Sequence, residues 1–219
     1  MYPTAERRRA ALDPRLYLVT DSTGLDEAVF LEKLRGALRG GVTLLQLREK
    51  DRSTREYIAL AQKVHQITAE FDVPLLIDDR IDVAMATDAE GVHLGQSDMP
   101  IGTARKILGE GYLIGATAKT VGQAKEAYLQ GADYLGVGAI YPTTTKVKTV
   151  LTDVSVLSEI IRAVPIPVNA IGGLNKDNID ILRGLKLGGI CVVSAIMKAD
   201  DAQTAAEALS SAMRNKLEI

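Results

Sequence analysis

Tryptophan is absent from these 219 residues and phenylalanine occurs twice. An aromatic content of 4% leaves too few flat rings to stack a run of bases, which argues against a single-stranded nucleic-acid platform. Excess positive charge is missing as well. Lys and Arg total 26 against 28 Asp and Glu, a formal charge of -2, whereas a nucleic-acid binder carries a basic face and a high pI. The single cysteine, Cys191, cannot close an intrachain disulfide, which fits a reducing, cytoplasmic setting. No apolar run reaches the length of a membrane span, so no membrane association is expected. Met1 to Pro14 contains Arg7, Arg8 and Arg9 but no apolar segment after them. It reads as a polar arm (residues 1–14) before one domain (residues 15–219), not as a secretory signal. There is no His/Cys cluster and no Gly-x-Ser-x-Gly elbow, and Gly136-Val137-Gly138 lacks the rest of a dinucleotide fingerprint.

What is present is a regular alternation. Short apolar runs begin at Arg15-Leu16-Tyr17-Leu18-Val19-Thr20 and recur at Leu44 to Leu47, Pro74 to Ile77, Gly91 to Leu94, Tyr112 to Gly115, Tyr134 to Val137, Pro167 to Ile171 and Gly189 to Val193. Between them lie stretches with apolar residues at helical spacing: Glu27 to Arg39, Thr54 to Glu70, a short helix through Val83 and Ala86, Thr103 to Leu108, Val121 to Gln130, Asp153 to Val164, Asn178 to Leu185 and Ala202 to Lys216. Ser53 is placed as an N-cap, and Gly40-Gly41 and Gly131 as helix stops. Eight strands alternating with eight helices imply parallel strands and right-handed crossovers. The expected fold is α/β, a single-domain (β/α)8 TIM barrel, with a doubly wound open sheet as the alternative.

In either fold the chemistry gathers at the carboxyl ends of the strands. Gln46, Arg48 and Lys50 are two apart and share one face of an extended strand, with Leu45, Leu47 and Glu49 on the other. A cation aimed at a covered face needs an anionic partner, although a strand end running into solvent gives the same spacing. Asp78 and Asp79 follow the third strand, Asp98 the fourth, Thr117 and Lys119 the fifth, and Thr143, Thr144, Thr145 and Lys146 the sixth. Asp79 and Asp98 are candidate ligands for a hard divalent cation such as magnesium, or else turn and N-cap residues. Gly172-Gly173 and Ser194, after the last two strands, sit where barrels commonly hold phosphate, though a Gly-Gly pair also makes a plain tight turn. Cys191, in mid-strand, reads as core, and His65, inside a helix, as a surface residue. The set suggests two anion sites, one rich in cations and carboxylates and one of neutral backbone.

Four spaced motifs resemble one family, thiamine-phosphate synthase. They are Gln46-Leu47-Arg48-Glu49-Lys50, Val92-His93-Leu94-Gly95-Gln96-Ser97-Asp98, Gly138 to Lys146, and Ala170-Ile171-Gly172-Gly173. The likeness runs from about Tyr17 to the last helix. It implies a TIM barrel that condenses 4-amino-2-methyl-5-hydroxymethylpyrimidine diphosphate with 4-methyl-5-hydroxyethylthiazole phosphate, releasing diphosphate with Mg²⁺ present, by a dissociative carbocation mechanism. It further implies that Gln46, Leu47, Arg48, Glu49, Lys50, Asp78, Thr117 and Lys146 form the pyrimidine diphosphate site, with Arg48, Lys50, Lys146 and Thr117 in catalytic roles. Thr143, Thr144, Thr145, Gly173, Val193 and Ser194 would bind the thiazole phosphate, and Asp79 and Asp98 the Mg²⁺. The partners implied are small molecules, with no nucleic acid or membrane, and a homo-oligomer is compatible with the pattern.

Three positions depart from the family pattern. Asp78 stands where Asn is usual, Thr117 where Ser is usual, and Lys119 where a His is common. Thr keeps the hydroxyl. Asp adds a negative charge beside Asp79, which either serves the metal, is protonated or turns away. The related thiazole tautomerases rely on a His near position 119, so Lys119 weighs against that activity. A non-catalytic binder of thiamine precursors and a phosphosugar epimerase are the other readings. An epimerase needs a clear acid/base pair, which the strand ends do not offer.

Overall fold

The computed structural model describes residues 12–143 and 150–219. Eight parallel strands close in sequence order into a barrel: β1 (Leu16–Val19), β2 (Leu44–Leu47), β3 (Leu75–Asp78), β4 (Gly91–Leu94), β5 (Leu113–Ala118), β6 (Tyr134–Gly138), β7 (Val168–Ile171) and β8 (Gly189–Val192). β8 pairs back onto β1, with Tyr17 opposite Cys191. The open-sheet alternative is thereby excluded. Helices α1 (Glu27–Arg39), α2 (Thr54–Ala69), α3 (Ile81–Thr87), α4 (Ile101–Leu108), α5 (Val121–Leu129), α6 (Val154–Ala163), a short α7 (Ser194–Met197) and α8 (Ala202–Leu217) surround it.

Both strand faces are buried, which is why the strands read as continuous apolar runs instead of alternating ones. Outward residues such as Leu16, Leu18, Leu45, Leu47, Leu75 and Ile77 pack against the helices in one large core. α1 contributes Phe30, Leu34, Ala37 and Leu38 at helical spacing. Inward residues form a second, smaller cluster of Tyr17, Val19, Leu44, Leu76, Leu113, Tyr134 and Cys191. Leu12 packs against that inner cluster, and the Asn169 side-chain amide donates to the Pro14 carbonyl at 2.5 Å, so residues 12–14 lie against the N-terminal end of the barrel.

Local signals behave as their chemistry requires. Ser53 caps α2 in a reciprocal capping box with Glu56. Gly41 (φ 99°) and Gly131 (φ 98°) follow α1 and α5 in the left-handed conformation. One segment differs from expectation. The stretch Asn178 to Leu185 makes only a 3₁₀ turn, Ile179–Leu182, because Arg183 N–H bonds back to Asp180 and Gly184 turns at φ 80°. His65 is half-buried rather than a surface residue. Its Nδ1 lies 3.0 Å from the Thr87 carbonyl and its Nε2 3.1 Å from Glu90, tying α2 to the α3–β4 connection. No helix among the described residues is long and apolar enough to cross a membrane.

Candidate active site

A cavity of about 230 Å³ opens at the carboxyl ends of the strands. Gln46, Arg48, Asp78, Thr117, Thr143, Gly173, Val193 and Ser194, all anticipated from the sequence, line it. The walls divide into two kinds. On the β2–β4 side β2 ends at Leu47, so Arg48 and Lys50 leave the strand, yet both still turn toward β3. Arg48 N–H donates to the Thr20 hydroxyl at 3.0 Å, which fixes the turn. Lys50 Nζ lies 2.8 Å from Asp78 Oδ2 and also contacts Asp79, while Arg48 Nε is 3.8 Å from Asp78. Asp79 sits at φ 60°, a conformation that a non-glycine residue seldom adopts away from a functional or turn position.

The titration of this cluster follows from crowding. Burial, then the adjacent Asp79 charge, pushes the Asp78 carboxyl above its usual value, against the pull of Lys50 and Arg48. Burial also works upward on Asp79, but hydrogen bonds with Lys50 and Asp98 outweigh it and the carboxyl ends below its usual value. Asp98 is raised, first by burial and next by its hydrogen bond to Asp79. Lys50 is raised because its bonds to the two aspartates overcome desolvation. Asp79 and Asp98 therefore stand close enough to push each other's titration in opposite directions. Two hard oxygen donors forced together in this way suit a magnesium ion, which needs only one or two carboxylates beside substrate oxygens. Asp79 is not the N-cap of α3, whose cap position is Arg80, whereas Asp98 does accept the Gly95 N–H at 2.7 Å in a turn. Among the described residues, no group of three or more His, Cys, Asp or Glu side chains gathers as a metal cage.

On the β7–β8 side the wall is backbone. Gly172 (φ 103°) and Gly173 (φ 66°) turn the chain at the end of β7. A Cβ on Gly173 would stand 2.6 Å from Tyr141 Cβ and 2.8 Å from the Pro142 carbonyl oxygen, so only glycine fits. Val193 and Ser194 complete this wall after β8.

Leu47 and Glu49 take the other direction, as the two-residue spacing requires. Leu47 is fully buried in the outer core, and the Glu49 carboxylate accepts from the Ser22 hydroxyl at 2.9 Å and from Arg52 Nε at 3.0 Å. Their side chains do not line the cavity. Lys50, Asp79 and Asp98 flank it without lining it. Thr144, Thr145 and Lys146, like residues 1–11 of the expected arm, lie outside the described residues.

Side chains not singled out from the sequence as site residues form the floor. Tyr17, His93 and Cys191 line the cavity, Tyr134 lies beneath it, and Lys119, expected at the end of the fifth strand, also lines it. Gln46 Nε2 donates to the Tyr17 hydroxyl at 2.6 Å, and the Tyr17 and Tyr134 hydroxyls are 2.8 Å apart. The Tyr134 hydroxyl is 2.9 Å from His93 Nδ1, and His93 Nε2 is 3.0 Å from Thr117 Oγ1. The available signal was a tyrosine in each of two buried strands, since a buried phenol requires a hydrogen-bond partner.

Comparison with known proteins agrees along nearly the whole chain. A family profile described as thiamine monophosphate synthase matches residues 16–196. The chain is 48% identical over 203 residues to thiamine-phosphate synthase 2 of Streptococcus pneumoniae, covering 93% of this chain and 97% of that one. It is 46% identical over 205 residues to thiamine-phosphate synthase of Methanobrevibacter smithii, covering 94% and 98%. Among solved structures it is similar to thiamine phosphate pyrophosphorylase from Pyrococcus furiosus, with a TM-score of 0.85, 40% identity, and 95% and 98% of the two chains covered.

Proposed function

The chain belongs to the thiamine monophosphate synthase family, and from that premise we propose that it condenses hydroxymethylpyrimidine diphosphate with hydroxyethylthiazole phosphate, giving thiamine phosphate and diphosphate. The observation that carries this reading is the pairing of two unlike walls on one cavity. A wall of cations and carboxylates suits a diphosphate leaving group, and a wall of glycine backbone suits a monophosphate.

Departure of diphosphate develops negative charge on the leaving oxygens. Arg48, with a planar fork of donors, and Lys50 and Lys146, as point charges, neutralise it there. Asp79 and Asp98 would hold Mg²⁺, which would supply further charge neutralisation on the diphosphate. Gln46 and Thr117 orient the pyrimidine, while Thr143 to Thr145, Gly173, Val193 and Ser194 position the thiazole phosphate with its ring nitrogen facing the departing bond. The carbon–oxygen bond breaks first and the thiazole nitrogen captures the resulting pyrimidine-stabilised cation. Such chemistry asks for alignment and electrostatic stabilisation and does not require a nucleophile on the protein.

Lys50 is already engaged by Asp78 and Asp79. On the proposed reading the incoming diphosphate replaces the two aspartates as the partner of Lys50. Incubating the chain with both substrates and Mg²⁺, and following thiamine phosphate, tests the proposal. Formation of thiamine phosphate with equimolar diphosphate is expected. Tight binding of the thiazole phosphate without turnover would instead make the chain a precursor binder.

A further inference from the structure

Beneath the cavity a single chain of hydrogen bonds crosses the barrel from β2 to β5 through β1, β6 and β4: Gln46, Tyr17, Tyr134, His93, Thr117. The chain has a built-in direction. The Gln46 amide nitrogen has no lone pair to offer, so it donates to the Tyr17 oxygen. Each phenol owns one proton, and burial pushes both phenols well above their ordinary pKa, so neither loses it. The buried Tyr17 proton needs an acceptor, and among the described hydrogen bonds Tyr134 is the one that offers it; the Tyr17 proton then serves Tyr134, the Tyr134 proton serves His93 Nδ1, and the His93 proton sits on Nε2, where it is donated to Thr117 Oγ1. Thr117 already accepts, so its own hydroxyl proton is free to point elsewhere, and Thr117 lines the cavity.

We infer that Tyr17, Tyr134 and His93 are positioning residues: they hold His93 as the Nε2–H tautomer and thereby make Thr117 a fixed donor to a lone pair of the bound pyrimidine diphosphate. This rests on the synthase reading for the identity of the acceptor and goes beyond it in assigning roles to three further residues. The packing is built for the chain. The rings of Tyr17 and Tyr134 meet edge to face at 5.7 Å and 82°, and those of His93 and Tyr134 lie 5.6 Å apart. Gly115, opposite Tyr134 in the register, makes room, since a Cβ there would fall 2.1 Å from the tyrosine ring. Gly136 does the same for His93, whose Cε1 would be 3.3 Å from an added Cβ. A preorganised hydroxyl costs no reorientation when charge moves in the transition state.

The chain has only two histidines, so ¹⁵N labelling of histidine gives two ring spectra, and His65→Gln identifies that of His93. The unaltered protein is expected to show His93 protonated at Nε2 alone. An Nδ1–H or doubly protonated ring, as the reverse polarity with the Gln46 amide turned over would require, overturns the inference. Tyr134→Phe removes the donor to Nδ1. It is expected to release the tautomer and to lower kcat by about tenfold or more with little change in KM, as loss of a donor used in the transition state does. Thr117→Val should show a comparable loss that Tyr134→Phe does not compound, and Thr117→Ser should restore turnover. A folded Tyr134→Phe protein with unaltered kcat and tautomer contradicts the proposal. If the unaltered chain makes no thiamine phosphate, that failure belongs to the synthase reading, and the His93 tautomer alone decides the hydrogen-bond chain.

Discussion

On the proposed reading, the two walls of the cavity handle anions by opposite means. At β2–β4, recognition is made of full charges that neutralise one another before any ligand arrives: Lys50 against Asp78 and Asp79, and Arg48 close to Asp78. At β7–β8 it is made of backbone, shaped by Gly172 and Gly173, where a side chain would collide with Ala139 or Tyr141. The charged wall suits a group whose charge changes during reaction, because its strength grows with the charge that develops. The neutral wall suits a group that only has to be held. A charged wall also needs internal partners to survive partial burial, and Lys50 opposes the upward push that burial and Asp79 exert on Asp78 and Asp98.

Substitutions can separate the two walls. Arg48→Ala should have the largest effect, lowering kcat/KM by ~2–4 kcal/mol in barrier terms through the pyrimidine diphosphate, as loss of an oxyanion-type donor does. Lys146→Ala is expected to match it on the strength of the family motif. Near-native steady-state kinetics in both would remove the diphosphate from this wall. Gly173→Ala should act next in size. It forces a side chain into the left-handed region and onto Tyr141, and about 1–2 kcal/mol is expected, as a rise in KM for the thiazole phosphate. Equal rises for both substrates would show that the walls are not independent.

Asp78→Asn should preserve or raise turnover, because it removes an anion that competes with diphosphate for Lys50 and Arg48. Its stability effect has a definite sign. The fold raises this carboxyl's pKa, so its ionised form costs stability above the raised value and nothing below about 4, where both folded and unfolded chains are protonated. The Asn variant should thus be the more stable at pH 7 by chemical denaturation, and the advantage should fade as pH falls toward about 4. Collapse of activity would instead make Asp78 an essential ligand. The smallest effect is expected far from either wall, at His65. Its hydrogen bond with Glu90, working against desolvation, raises its pKa, so its contribution is complete below about 6.5 and is lost as pH rises through the folded value. His65→Ala should flatten that slope and leave both KM values alone, which sets the scaffold background for the comparison.

The barrel was legible because every level agreed: eight apolar runs, helical spacing between them, and Ser53, Gly41 and Gly131 at the boundaries. The helix expected over Asn178 to Leu185 failed where short-range turn chemistry at Asp180 and Gly184 overrode apolar spacing. The charged wall was legible at Arg48, Lys50, Asp79 and Asp98 because ionic side chains at strand ends announce themselves. That Asp78 would engage both cations was not, since pairing depends on how β2 leaves the sheet after Leu47. Least visible was the floor. Tyr17, His93 and Tyr134 lie on strands that share no neighbouring pair among them, and only closure of the barrel brings their polar tips together.

The division of labour between the walls is tested most directly by calorimetric titration of inorganic pyrophosphate, with and without Mg²⁺, into the unaltered chain, Arg48→Ala and Gly173→Ala. Pyrophosphate should bind the unaltered chain more tightly with Mg²⁺, bind Arg48→Ala at least about tenfold more weakly, a difference of ~1.4 kcal/mol, and bind Gly173→Ala as it binds the unaltered chain. Weakened binding in Gly173→Ala together with unchanged binding in Arg48→Ala would place the diphosphate on the glycine wall and contradict the account.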